Sequence, residues 1–245
     1  MKLMGRLVPM AEVTPAERDR MFALMDRYYE DVRRDVFEAD LAEKPWVIQV
    51  WHPRSGELLG FSTQMLLDAV ADGRPVTALF SGDTVIDRGY WGDSALMHVW
   101  GRFALTLIDE RPGSEMYWFL IAKGYKTYRF LPVFFHEFDP HPARPTPDRA
   151  RAVIDALAQH KYPREFDADR GIIRAGAGHD RLRSGVAEIT AARRRDPFVR
   201  FFDERNPGHA RGDELCCLAP LTRANFTPAA YRVIDAEPAA AEVPA

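Results

Sequence analysis

Residues 76–87 read VTALFSGDTVID, residues 88–108 read RGYWGDSALMHVWGRFALTLI, and residues 116–132 read MYWFLIAKGYKTYRFLP. The first block is apolar and β-branched with one acid in its middle, and it reads as a strand. The second opens on spaced glycines, Gly89 and Gly92. It then sets Leu96, Val99, Trp100, Phe103 and Leu107 at steps of three and four, the period of a helix with one buried face. The third is apolar without alternation, as in a central strand covered on both faces. It runs into a short helix, Gly124 to Phe130, that Pro132 disturbs. A strand feeding a glycine-spaced helix N-terminus is a place to hold a phosphate. Free N–H groups point out of the first turn, and the helix dipole favours negative charge there. The stretch therefore predicts a site for a pyrophosphate-bearing ligand, walled by the next strand and helix.

Upstream, Gly5 to Met10 reads as a first strand. Thr14-Pro15-Ala16-Glu17 is a capping box with proline at the first helical position. The helix behind it carries Met21, Phe22, Leu24, Met25, Tyr28, Tyr29 and Val32 on an apolar stripe, and Val36 to Glu43 is a second, short helix. Trp46 to Trp51 and Leu58 to Leu66 form a hairpin, followed by a turn at Asp72 to Pro75. Downstream, four prolines between Pro140 and Pro147 mark a linker or rigid excursion. Asp148 to Gln159 has helical spacing, Asp167 to Gly185 reads as loop, and Leu215 to Leu218 as a late strand. The tail from residue 236 is of low complexity and expected to fray.

The chain has 245 residues, 47% hydrophobic and 28% charged, enough for a full core. A net charge of -3 gives no footprint for nucleic acid. No apolar run reaches the ~18–20 residues that span a bilayer. The N-terminal MKLMGRLVPMAEVTP lacks a long apolar core with a cleavage site, so no secretory signal is expected. Cys216 and Cys217 are adjacent and cannot staple distant segments; they read as buried strand residues in a reduced, cytoplasmic setting.

The order strand, helix, helix, hairpin, long strand, glycine turn, helix, strand, helix resembles the GNAT acyltransferase superfamily over residues 5–138. The resemblance implies an α/β (α+β) fold with a mixed, mostly antiparallel twisted sheet flanked by helices. It implies a core at 1–139, an insertion or lid at 140–211, and a final strand and tail at 212–245. In that family the fourth strand splays from the fifth and the pantetheine arm of an acyl-CoA lies in the gap. Its turn reads [Q/R]-x-x-G-x-[G/A], and Gly89-Tyr90-Trp91-Gly92-Asp93-Ser94 matches the spacing. Carried over residue by residue, the backbone at Val85 and Ile86 holds pantetheine, and Gly89, Gly92, Asp93 and Ser94 present N–H groups to pyrophosphate. Arg88 stands in for the side chain missing at Gly89. Asp93 is unfavourable beside a phosphate unless it points away or caps the helix.

The resemblance also implies a tyrosine that protonates the departing thiolate. Tyr125 and Tyr128 lie near one face of a helix, and Tyr128 is taken for the acid; both equally suit core or rim. Asp83 is the candidate base, because a carboxylate within an apolar strand is desolvated and its pKa rises. The alternative there is a β-bulge at Ser81-Gly82-Asp83, with Asp83 bonded to backbone or arginine. Lys123, Lys126 and Arg129 form a basic strip for a 3′-phosphate, an acyl carrier protein or solvent. His136 and His141 are five apart and predict no metal site. The expected activity is transfer of an acyl group from acyl-CoA, acetyl-CoA or a carrier thioester to a small-molecule amine, without a metal. The alternative is the same fold as a binding module without turnover.

Overall fold

The computed structural model describes residues 2–176 and 178–236; the tail beyond 236 lies outside the described residues. β1 (Met4–Pro9) leads into α1 (Pro15–Tyr28), where Thr14 and Glu17 form both halves of the capping box. A two-residue strand β2 (Tyr29–Glu30) and α2 (Arg34–Ala42) follow. β3 (Trp46–Trp51), β4 (Leu58–Ala71) and β5 (Arg74–Ile86) run antiparallel. α3 (Ala95–Glu110) crosses to β6 (Met116–Ala122), then come α4 (Tyr125–Tyr128) and α5 (Phe130–Phe134). The rest is α6 (Asp148–Lys161), β7 (Phe166–Asp167), β8 (Ile172–Ile173), β9 (Arg181–Leu182), α7 (Pro197–Arg205), β10 (Glu214–Pro220) and α8 (Pro228–Ile234).

Eight strands make one sheet in the order β1-β3-β4-β5-β6-β10-β8-β7, and β2 pairs with β9 in a separate ribbon. β5 and β6 are parallel, as a helical crossover permits; the other neighbours in the sheet are antiparallel. Side chains alternate across the sheet. Phe80, Phe119, Cys216 and Leu218 meet Val153, Ile154 and Leu157 of α6 on one face. Leu79, Trp118, Leu120 and Cys217 meet Trp100, Ala104 and Leu107 of α3 on the other. α1 and α2 close a third cluster over Val47, Phe61 and Val85.

Some elements differ from the sequence expectation. The hairpin strands are longer than expected because Asp72 and Gly73 both take positive φ (47° and 71°), a two-residue turn that lets pairing run to Ala71↔Arg74. The helix expected at Gly124 to Phe130 is two short ones, and Pro132 sits in the first turn of α5, where its missing N–H has no helical partner to lose. The expected loop at Asp167 to Gly185 supplies β8, which extends the sheet beside β10, and β9. No helix is long and apolar enough to cross a membrane among the described residues.

Candidate functional site

The parallel seam is short. β5 pairs with β6 from Thr77↔Met116 to Ser81↔Leu120 and then leaves it. Beyond that point Ile121 and Ala122 of β6 pair with Cys216 and Leu215 of β10. The divergence starts at a bulge: Ser62 opposes Thr84 and Gln64 opposes Ser81, so Gly82 and Asp83 together face Thr63. Glycine is required at the first of these positions. A Cβ on Gly82 would stand 2.6 Å from Thr63 Oγ1 and 3.1 Å from Lys44 Cε. A buried polar chain braces the bulge. Gln64 Nε2 donates to Ser62 Oγ (2.8 Å), Ser62 and Thr84 hydroxyls meet at 2.7 Å, and Ser81 Oγ donates to Gln64 Oε1 (2.8 Å). Trp118 Nε1 completes the chain by donating to Ser81 Oγ at 3.0 Å.

The wedge is a cavity of about 410 Å³. Met25, Val32, Phe37, Leu96, Met97 and Trp100 give it apolar walls, and Asp40, Asp83, Asp180, Glu214, Lys123 and Tyr29 a charged end. Asp83 has no hydrogen-bond or ion-pair partner among the described residues. So the bulge of the alternative reading is present, without the backbone or arginine bond expected with it. Burial, then the charges of Asp40 and Asp180, push the Asp83 carboxyl up to about 7 against the pull of Lys123 and Lys44. Burial opposes the charge on Lys123, yet Glu214 (3.5 Å) and Asp180 (2.8 Å) hold its pKa above the usual lysine range. Burial raises Glu214 and Tyr29. Lys44, 1% exposed, bonds Asp40 Oδ1 at 2.6 Å.

The glycine turn departs from its expected role. Asp87 Oδ1 accepts the Gly89 N–H (3.1 Å), and the Asp93 N–H goes to Tyr90 O (2.9 Å). The Asp93 carboxylate bridges the N–H groups of Ala95 (2.7 Å) and Leu3 (2.9 Å). It therefore caps α3 and stands where an anion would sit. Gly89 and Asp93 are thus not free N–H donors, which leaves Gly92 and Ser94 of the expected four. Nothing crowds Gly92 within 4 Å. Val85 is buried in its pairing with Phe61, and the Ile86 carbonyl accepts Trp91 Nε1 at 2.9 Å, so that carbonyl is not open to a pantetheine amide. Arg88 lies 5.4 Å from the Trp91 ring centre, and Lys126 stands over the same ring at 3.1 Å while donating to Val186 O. Burial, then Arg193 and Arg88, lower Lys126 to about 8. The basic strip is therefore split: Lys126 joins Arg88, Lys123 turns to the acids, and Arg129 pairs with Asp196 at 3.2 Å.

Tyr128 is not at the cavity. It is fully buried beside Phe138, Phe201 and Phe202, its hydroxyl donates to Pro140 O (2.8 Å), and burial pushes its phenol above the usual range. The core reading of that residue is the one the packing follows. The phenols that line the cavity are Tyr29 and Tyr162. Tyr29 falls one residue past α1, and its place on a helical stripe hides it in the sequence. Asp40, Asp180 and Glu214 are equally hidden. Their signal is faint, since each is an ordinary polar residue until the chain brings it beside Lys123 or Lys44. No group of three His, Cys, Asp or Glu is arranged to hold a metal among the described residues.

An antiparallel run, one parallel pair reached through a turn and helix, and a splay at a bulge between those two strands complete the pattern. The fold is GNAT-like. No family model matches the sequence, and no curated protein matches it. Solved structures of acyltransferases overlap it in part. A probable N-acyltransferase from Enterococcus faecalis V583 is 16% identical with a TM-score of 0.40, over 55% of this chain and 33% of that one. The GNAT family N-acetyltransferase YhbS from Escherichia coli, in complex with CoA, is 14% identical with a TM-score of 0.39, over 55% and 69%. Saccharomyces cerevisiae N-myristoyltransferase with bound myristoyl-CoA is 11% identical with a TM-score of 0.39, over 50% and 30%. The chain thus spans a third of the first and third of these and 69% of the second.

Proposed function

We propose that the protein transfers an acyl group from a coenzyme A thioester to a small-molecule amine. The observation that carries this is Asp83, an unpartnered carboxylate at the mouth of a strand splay, with a pKa of about 7. An amine reaches the site as an ammonium ion and must lose a proton before its nitrogen can attack. Asp83 takes that proton. The nitrogen then forms a bond to the thioester carbonyl carbon, and the bulge N–H left out of the ladder stabilises the oxyanion. The C–S bond breaks, the thiolate takes a proton from a phenol to leave as the free thiol, and the extra proton still on the nitrogen passes to the phenolate so formed as the amide forms. Tyr128 is too far inside the core to give that proton, and Tyr29 is the phenol in place to do so. Arg88 and Lys126, across Trp91, hold the phosphates of the donor in place of the backbone groups that Asp87 and Asp93 occupy. Residues 178–189 form a lid over the open end.

A second reading, a binding module without turnover, is favoured by the Asp93 carboxylate on the α3 N-terminus and by Trp91 on the Ile86 carbonyl. Thiol release from acetyl-CoA across an amine panel separates the two. Release that disappears in Asp83→Asn supports transfer. Coenzyme A binding with no release from any amine leaves the binding module.

A further inference from the structure

The wedge opens through the sheet, and strand register sorts its lining into two chambers. Ser62, Gln64, Ser81 and Thr84 bond one another and Trp118 bonds Ser81, so they share the face that carries α3. Leu96, Met97 and Trp100 line that chamber. Lys126 belongs to α4, whose Tyr125 and Tyr128 pack in the same cluster as α3, so the donor enters from this face. Asp83 is on the other face, because the bulge pair takes the one place between Ser81 and Thr84. A Cβ on Gly82, its partner in the bulge, would stand 3.1 Å from Lys44 Cε and 3.5 Å from Phe80 Cε1, and Phe80 packs against α6.

The ion pairs of this second chamber are closed among themselves. Lys44 holds Asp40, Lys123 holds Asp180 and Glu214, Arg33 pairs with Asp35, and Asp31 with Arg181. His179 Nδ1 accepts the Gly176 N–H. They leave Asp83 as a seat for one cation and none for a second. The rest of the chamber is apolar. α1 and α2 cover the same face, over Phe61 and Val85, and give it a wall that runs from core to solvent. Met25 and Phe37 are 4% exposed, Val32 is half-buried, and Val36 is 52% exposed and in none of the three core clusters. A small polar acceptor would leave this wall wet, whereas an apolar body covers it.

We propose that the acceptor is a monoamine with an apolar body: its nitrogen meets Asp83 and its body lies along Phe37, Val32 and Val36. This rests on the acyl-transfer reading for the reacting nitrogen, but recognition of the body can be measured without any thioester. The test is calorimetry of the full chain, with and without saturating coenzyme A, against 2-phenylethylamine, 1-aminohexane, 2-aminoethanol and 3-phenylpropanoate. 2-Phenylethylamine should bind about tenfold or more tighter than 2-aminoethanol, through the apolar area it buries, with 1-aminohexane beside it and the acid, which cannot pair with Asp83, weakest. Val36→Ser and Val32→Ser should each weaken 2-phenylethylamine severalfold and narrow its lead. Val70→Ser, at a valine 67% exposed in the β4–β5 hairpin and outside the wedge, should not. A lead that survives both wall variants, equal affinity of the wild type for 2-phenylethylamine and 2-aminoethanol, or no binding of any amine in either condition overturns the proposal. So does a Val36→Ser that weakens octanoyl-CoA and spares the amines, since the wall then takes the acyl chain of the donor. Preferential binding of 2-phenylethylamine with no thiol release from acetyl-CoA would uphold the apolar seat and remove the acyl-transfer reading instead.

Discussion

Asp83 stands out in the amino-acid sequence itself, because an acid inside VTALFSGDTVI has to be explained by chemistry or by a break in the strand. The fold shows the break, and the bulge sets Asp83 on the lining of the wedge, where the proposed chemistry needs it. Its titration links activity to stability. An unfolded aspartate titrates near ~3.9; folded, Asp83 titrates at about 7. The folded state holds the proton more tightly, so stability is full below about pH 4 and falls as pH rises through about 7, by on the order of a few kcal/mol. Asp83→Asn should therefore melt at a temperature that exceeds wild type by more at pH 8 than at pH 5. An equal difference at the two pH values would count against a buried, unpaired carboxylate. The wild-type rate should climb to a plateau with an apparent pKa near 7, and Asp83→Asn should lower it roughly 10²–10⁴-fold. Tyr128 is not legible in the same way, because the face of a four-residue helix that meets solvent depends on where the chain goes next. Tyr128→Phe should leave the transfer rate unchanged and cost about 1 kcal/mol, the hydrogen bond to Pro140 O, read from denaturant unfolding. A slowed reaction at wild-type stability would restore the tyrosine to the chemistry.

Elements with strong local signals are readable in the sequence, and α7 and α8 carry such signals as well. Asp196 caps α7 through the N–H groups of Phe198 and Val199 with Pro197 behind it, and Thr227 caps α8 with Pro228 behind it. These repeat the Thr14-Pro15 pattern that marks α1. β8 and β9 have no such signal, since two residues are a strand only by virtue of their partners. Packing between elements also explains Gly101 in mid-helix. A Cβ there would stand 2.4 Å from Ile234 Cγ1, so α8 lies directly on α3 at that point. Gly101→Ala gains helix propensity of ~1 kcal/mol but forces the helices apart, for a net loss of about 1–2 kcal/mol in urea unfolding. A stabilised variant would mean that α8 yields freely. On the other face, Arg149 of α6 grips Glu115 at 2.8 and 2.6 Å and donates to Ala71 O, tying the helix to β6 and the long hairpin. Hydrogen bonds from Arg149 bring the Glu115 carboxyl down to about 2 despite some burial. That contribution, about 1 kcal/mol for a partly exposed pair, is present above ~pH 4.5 and is lost as pH falls towards 2. Acid unfolding of Glu115→Gln should be the flatter over that window.

The eight-stranded sheet is two halves, β1-β3-β4-β5 and β6-β10-β8-β7, joined at one five-residue parallel seam. The order of elements through residue 138 can be read from the sequence, but the path of 140–211 cannot. Its α6 is core, and its later part is held by partners far away in the chain. Removing Pro140 to Arg200 outright would strip Val153, Ile154 and Leu157 from the sheet and yield an insoluble product, which says nothing about a lid. The informative part is 178–189. It spans the halves, and its Gly178, His179 and Asp180 line the wedge. On one side Leu182 pairs with Tyr29, the Arg183 N–H reaches Tyr28 O (2.9 Å), and Arg181 meets Glu30 (2.7 Å) and Asp31 (2.6 Å). On the other, Asp180 meets Lys123 and Val186 O meets Lys126. Two of these anchors are exposed ion pairs worth about 0–1 kcal/mol each, and the others are single contacts with no fully buried apolar side chain of the strap behind them, so the strap should open well below the global unfolding free energy. The Arg183 amide should then exchange with solvent faster than the amides of β4 and β5, and Arg181→Ala should speed it further without moving the melting temperature by more than ~2 °C. Coenzyme A at saturation should slow the same amide, because a donor lying in the splay gives the strap a surface to close on. An Arg183 amide as protected as the central strands, and indifferent to coenzyme A, would make the strap a fixed wall, with entry to the wedge from the α3 side alone.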